Sequence, residues 1–160
     1  MLEQIRIHEI RADQLRNLAE RLNITMSELI ERLTSLLMRR NLIPDRFSEF
    51  RIDRLGELIT FEIAGVCCPM QTFDRAVDLH AFLENFVKSR TAKLARFSMG
   101  DDYSLIIQRV GPAFRLSVRD GAETLGTVVL SRAIMFDIDR QMSNVFDECL
   151  GDPPLEQALA

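Results

Sequence analysis

The sequence predicts an α+β protein in two parts. A short strand–helix–helix unit comes first, and an α+β domain of strand, helix, four-stranded antiparallel meander and helix follows. Three observations predict this. Residues 4–8 alternate polar and apolar side chains, the period of a strand with one greasy face. Residues 12–40 carry two successive apolar stripes at helical spacing. Four alternating segments between residues 94 and 130 are separated by Gly-, Pro- and Asp-bearing turns.

The bulk composition fits that class. The chain has 160 residues, of which 47% are apolar and 28% charged, an ordinary globular balance that argues against global disorder. No apolar run approaches the roughly 18–20 residues of a membrane span. The opening MLEQIRIHEI carries charges where a secretory signal needs an apolar stretch. The expectation is therefore a cytoplasmic protein with no membrane contact. Net charge is −4, unevenly spread: residues 1–54 hold ten Arg against nine acids, and residues 55–160 ten basic residues against fifteen acids. All basic residues but Lys88 and Lys93 are Arg, the better reader of phosphates and base edges, although a coding bias gives the same count. Cys67, Cys68 and Cys149 form no disulfide framework, and their spacing with His80 supports no metal site. They read as small reduced side chains.

Each element has its own justification. In EQIRIHEI, Ile5 and Ile7 alternate with Gln4, Arg6 and His8, with Glu9 and Ile10 leading out of the strand. Leu15, Leu18, Ala19 and Leu22 fall at i, i+3, i+4 and i+7, placing a helix over 12–22, which Asn23 ends in a left-handed turn. Thr25 to Glu28 has the spacing of a capping box and starts a second helix that runs to about Arg40. Its apolar face is Met26, Leu29, Ile30, Leu33, Leu36 and Leu37. Arg39 and Arg40 suit its carboxyl end, and Pro44 bars continuation. Residues 41–56 read as a partly ordered connector in which Phe47, Phe50 and Ile52 want cover.

The second part begins with a strand over Leu58–Val66 and a turn around Pro69. Thr72 caps a helix over 73–90 with a stripe of Phe73, Ala76, Val77, Leu83, Phe86 and Val87. The meander strands are Leu94–Ser98, Tyr103–Val110, Ala113–Arg119 and Thr124–Leu130. Their turns are Gly100-Asp101-Asp102, Gly111-Pro112 and Asp120-Gly121. A last helix over 132–149 packs Ile134, Met135, Ile138, Met142, Val145 and Phe146. GDPPLEQALA reads as a tail. The domains are thus residues 1–42, a connector 43–56, an α+β domain 57–150 and a tail 151–160. Some forty residues are too few for a self-sufficient core, so the first unit asks for a second copy.

At this point the residues resemble a family. Gln4-Ile-Arg-Ile-His8, Leu15, Leu18-Ala19-Glu20 and Ser27-Glu28-Leu29-Ile30 resemble the ribbon-helix-helix DNA-binding proteins, over residues 2–40. The intervals from Ile7 to Leu18 and from Ala19 to Ser27 fit that family's spacing. Members often start the first helix with Pro and favour Gly between the helices; this chain has His8-Glu9-Ile10 and Asn23 there. The resemblance implies a homodimer, or a dimer of dimers. Two strands pair antiparallel, with Ile5, Ile7, Leu18, Leu29, Ile30 and Leu33 in a shared core. It also implies double-stranded DNA as partner. Gln4, Arg6 and His8 would enter the major groove, which a two-stranded ribbon fits, and Thr25 and Ser27 would hold a phosphate at the helix start. The expected function is a sequence-specific transcriptional regulator, a repressor by preference.

Two other readings use the same letters. Residues 18–30 also look like a helix-turn-helix, but its recognition helix would present Leu29, Ile30, Leu33 and Leu36 where polar residues are needed. A dimeric adaptor or chaperone-like module fits the small, acidic composition. Residues 55–150 contain no Gly-rich phosphate loop, no Gly-x-Ser-x-Gly and no His-Glu-x-x-His, so neither an enzyme nor a cofactor is expected. Ribbon-helix-helix proteins with a second domain often assemble or sense a ligand through it, so a small ligand or protein partner is the expectation there. The nickel-responsive repressors follow that pattern, yet two His do not supply their metal site. Four strands and a helix are also loosely similar in topology to single-stranded-DNA-binding coactivators. That similarity places Arg109, Arg115 and Arg119 on one exposed sheet face. Asp101-Asp102 reads as a solvent-facing turn, and His80 as a packed or rim residue.

Overall fold

A computed structural model describes residues 9–40, 42 and 49–151. The chain divides into two units, Met1–Pro44 and Asp45–Ala160. The class is α+β: four helices and two antiparallel sheets among the described residues.

The first unit is a helical hairpin. Helix α1 spans Glu9–Leu22 and α2 spans Met26–Arg39. Helix α1 thus begins earlier than the apolar stripe suggested. Glu9 and Ile10, read as the end of a strand, lie in its first turn, where an acidic side chain meets the positive end of the helix dipole. Gln4, Ile5, Arg6, Ile7 and His8 lie outside the described residues. The end of α1 is a Schellman motif. Asn23 adopts φ 53°, its N–H reaches the Glu20 carbonyl at 3.0 Å, and the Ile24 N–H reaches the Ala19 carbonyl at 3.1 Å. Asn tolerates this conformation better than most non-glycine residues, so the turn forms without Gly. Thr25 caps α2, its Oγ1 accepting from the Glu28 N–H at 3.1 Å.

The second unit starts earlier than expected. Strand β1, Phe50–Leu55, lies inside the segment read as connector and pairs along its whole length with β2, Leu58–Ile63. The apolar run 58–66 is not one strand. Ala64 and Gly65, both at positive φ, make a two-residue turn into β3, Val66–Cys67. Paired positive φ values match the twist of a tight hairpin. Strand β4, Gln71–Thr72, pairs with the other end of β2. Helix α3 spans Phe73–Lys88, capped by Thr72. Strands β5 (Leu94–Gly100), β6 (Tyr103–Val110), β7 (Ala113–Asp120) and β8 (Glu123–Leu130) form the second sheet in chain order, as the meander predicts. Helix α4 spans Arg132–Gly151.

The core lies in this second unit. Phe50, Phe61 and Ile63 from the first sheet meet Leu79 and Leu83 of α3, Leu105, Ile107, Phe114, Leu116 and Val118 of the second sheet, and Ile138 and Met142 of α4. The α3 stripe is shifted from expectation: Leu79 is fully buried, while Val77 is 37% exposed. Buried Gln71 ties the sheets together, donating from Nε2 to the Pro69 and Met99 carbonyls, each at 2.7 Å.

Candidate nucleic-acid interface

At the start of α2 the backbone places two hydroxyls side by side. Thr25 and Ser27 are both exposed. The Thr25 hydroxyl spends a lone pair on the Glu28 N–H and keeps its proton for another acceptor. Glu28, one turn in, opposes an approaching anion. Arg32 neutralises it through an ion pair at 2.6 Å. The site is thus a helix start with two hydroxyls and a compensated acid, suited to a phosphate oxygen.

The proposed dimer-core residues divide. Leu29 is 2% exposed and Ala19 4%, so these are the hairpin's own inner positions. Leu18, Ile30 and Leu33 remain 37–45% exposed, and Leu22, Leu36 and Leu37 40–50%. Spacings of three and four place Leu18 with Leu22, and Ile30 with Leu33 and Leu37, on single helix faces. Half-exposed Leu and Ile in such number form an exposed apolar surface. Ile5 and Ile7 fall outside the described residues.

The second unit holds the other candidates. His80 is half-buried, its Nε2 2.6 Å from Asp139 Oδ1 and its ring edge-on to Phe146. It is a packed rim residue beside a groove between α3 and α4. Buried Leu83, Val87, Met135 and Met142 line that groove, with half-exposed Phe136 at its mouth and the Glu84–Lys88 ion pair beside it. Among the described residues no group of His, Cys, Asp and Glu is placed to hold a metal ion. None of the described helices is long and apolar enough to cross a membrane. Asp101 and Asp102 make the β5–β6 turn at positive φ and are exposed.

Strand parity separates the three arginines that sequence reading grouped. In the ladder, Gln108 pairs with Arg115 and Ser104 with Arg119, so those four share one face. Arg109 points to the other. Its guanidinium donates to the Ser89 carbonyl at 2.6 Å and stands 4.9 Å from the Phe114 ring centre. The expected grouping is corrected for a physical reason: residues at odd separation along a strand face opposite ways, and the β6–β7 turn fixes which pair shares a face. The same parity puts Arg96 on the outer face, paired with Ile106. That residue was missed because its surroundings in sequence carry no motif.

No family model, no curated protein and no solved structure matches the chain.

Proposed function

We propose that the chain is a sequence-specific DNA-binding regulator that works as a dimer, reading the major groove with a ribbon made from residues 4–8 of two copies. The observation that carries this reading is the α1–α2 hairpin. Its left-handed Asn23, its Thr25 cap and its uncovered leucine face are what such a dimer needs from each half. Covering the exposed half of each of Leu18, Leu22, Ile30, Leu33, Leu36 and Leu37 contributes about 1 kcal/mol per side chain. A buried charge in that layer reverses the gain. Gln4, Arg6 and His8 supply base contacts, Arg to guanine and Gln to adenine. Thr25 and Ser27 position the helix start on a phosphate. A cytoplasmic location follows from this role.

The test is binding of the full chain to duplex DNA over a salt series, with Arg6→Ala and Leu33→Arg beside the wild type. A phosphate-dominated complex weakens steeply as salt rises. Arg6→Ala abolishes sequence preference, at about 1–3 kcal/mol, and leaves the dimer intact. Leu33→Arg dissociates the dimer in sedimentation equilibrium. Absence of duplex binding at low salt, with the dimer intact, would instead identify an adaptor whose leucine face holds partner proteins.

A further inference from the structure

The outer face of the β5–β8 sheet is basic, and among the described residues no acid forms an ion pair with it. Three rows of side chains cross it. The first is Leu94, Gln108, Arg115 and Val129; the second Arg96, Ile106, Ser117 and Thr127; the third Ser98, Ser104, Arg119 and Thr124. These rows contain three Arg and no Asp or Glu. The sheet's own acids, Asp101, Asp102, Asp120 and Glu123, sit in or beside the two turns at one end.

Two of the arginines have neutral partners. Arg115 donates to Gln108 Oε1 at 3.3 Å, and Arg119 Nε to Thr124 Oγ1 at 3.1 Å. Each planar fork is thereby steadied without losing its charge, and an Arg held this way suits phosphate oxygens. Within the third row Ser104 is 1% exposed, and its Oγ has no hydrogen-bond partner among the described residues. A buried unpaired hydroxyl is costly, and this one lies on the same face as the arginines. The rows carry no aromatic residue, so they offer unstacked bases no platform. This separates the face from a single-strand binder and favours a sugar–phosphate backbone.

Register supplies the spacing. Arg115 and Arg119 lie four residues apart on β7, about 13 Å at roughly 3.3 Å per residue. Arg96 lies two strands away, level with Ser117 midway between them, about 12 Å from each at roughly 4.8 Å per strand. The triangle matches the roughly 12 Å width of the major groove, across which phosphates of the two strands face each other.

We propose that Arg96, Arg115 and Arg119 form a second, sequence-independent contact to the backbone of duplex DNA. This rests on the DNA-binding reading above and adds a surface to it. The face sets affinity, and the amino-terminal ribbon sets choice of sequence.

The experiment measures full-chain binding to a labelled mixed-sequence duplex, and to a single strand of equal length, across a salt series. The triple variant R96Q/R115Q/R119Q keeps polar side chains and removes charge. Its urea midpoint is compared with that of wild type to establish that it folds. The triple variant is expected to lower the log–log salt slope by about 3 per protomer. It also weakens binding by at least tenfold, equally for all sequences, while the matching triple Lys variant retains most of the slope. An unchanged slope in the Gln variant overturns the proposal. So does tighter binding of the single strand than of the duplex. If wild type shows no sequence preference but the slope still falls in the Gln variant, the ribbon reading fails and this face stands.

Discussion

Replacing Arg109 by Met tests whether strand parity divides structural from surface arginines. Arg109 gathers the loose carbonyls where α3 ends. Its Nη2 donates to Ser89 O at 2.6 Å and to Phe86 O at 3.4 Å, and its Nε to Ala92 O at 3.3 Å. Its guanidinium also stacks on Phe114 at 4.9 Å and Phe86 at 5.9 Å. Carbonyls in the last turn of a helix lack intrahelical partners and carry the negative end of its dipole, so a half-buried cation there does two jobs. The short charged hydrogen bond contributes about 2 kcal/mol and the two long ones about 1 kcal/mol together. The ring contacts add about 1 kcal/mol. Met keeps the aliphatic stem and returns about 1 kcal/mol of burial. The expected net loss is about 3 kcal/mol, or about 12 °C in melting temperature for a domain of this size. Urea unfolding followed by circular dichroism reads it directly. Arg115→Met, exposed and holding one long bond to Gln108, should stay within about 0.5 kcal/mol of wild type. A loss below about 1 kcal/mol for Arg109→Met, or an equal loss for both variants, refutes the parity argument.

Two further outcomes follow from packing in the second unit. A Cβ on Gly126 would stand 2.7 Å from the Ala64 carbonyl oxygen and 2.7 Å from Val66 Cγ2. Gly126→Ala should therefore cost about 1–3 kcal/mol in chemical denaturation, whereas a wild-type midpoint would show that the β2–β3 turn yields freely. Burial pushes the Cys68 thiol from 9.0 up to about 12, against a smaller downward pull from the Ile63 backbone. The folded state thus keeps a proton that the unfolded chain loses above about pH 9. Stability is full below that pH and falls by about 1.4 kcal/mol per unit as pH rises toward 12. The comparison is the alkaline slope of unfolding free energy in wild type and Cys68→Ala. Identical slopes would remove Cys68 as its source.

What was legible in the sequence was what neighbouring residues decide among themselves. Asn23 ends α1 and Thr25 caps α2 because each acts within a few residues of its own position. The meander turns at Asp101-Asp102, Gly111 and Gly121 are local as well. Strand β1 was not legible, because Phe50 and Ile52 are its only buried residues and Arg51, Asp53 and Arg54 interrupt any greasy run. Its strand state comes from six cross-strand partners on β2, a non-local cause that propensity does not record. Arg109 was misplaced for a related reason. Spacing along one strand gives parity, but which parity faces the core is decided by Phe114, Leu116 and the helix behind them.

That contrast also explains why the candidate interface divides as it does. The second unit closes its own core, so its surface is free to carry unmatched charge without endangering the fold. Among its described residues the first unit buries only Ala19 and Leu29 of its apolar side chains, and leaves Leu18, Leu22, Ile30, Leu33, Leu36 and Leu37 about half open. A hairpin of two 14-residue helices gains little from propensity alone, so covering that face would stabilise it. In the dimer proposed above, assembly and recognition would be one event: the second copy that completes the leucine layer would also double Gln4, Arg6 and His8 along a ribbon. The proposed function therefore predicts that sequence preference and dimer vanish together on dilution; a preference that persists in a monomeric sample would refute it.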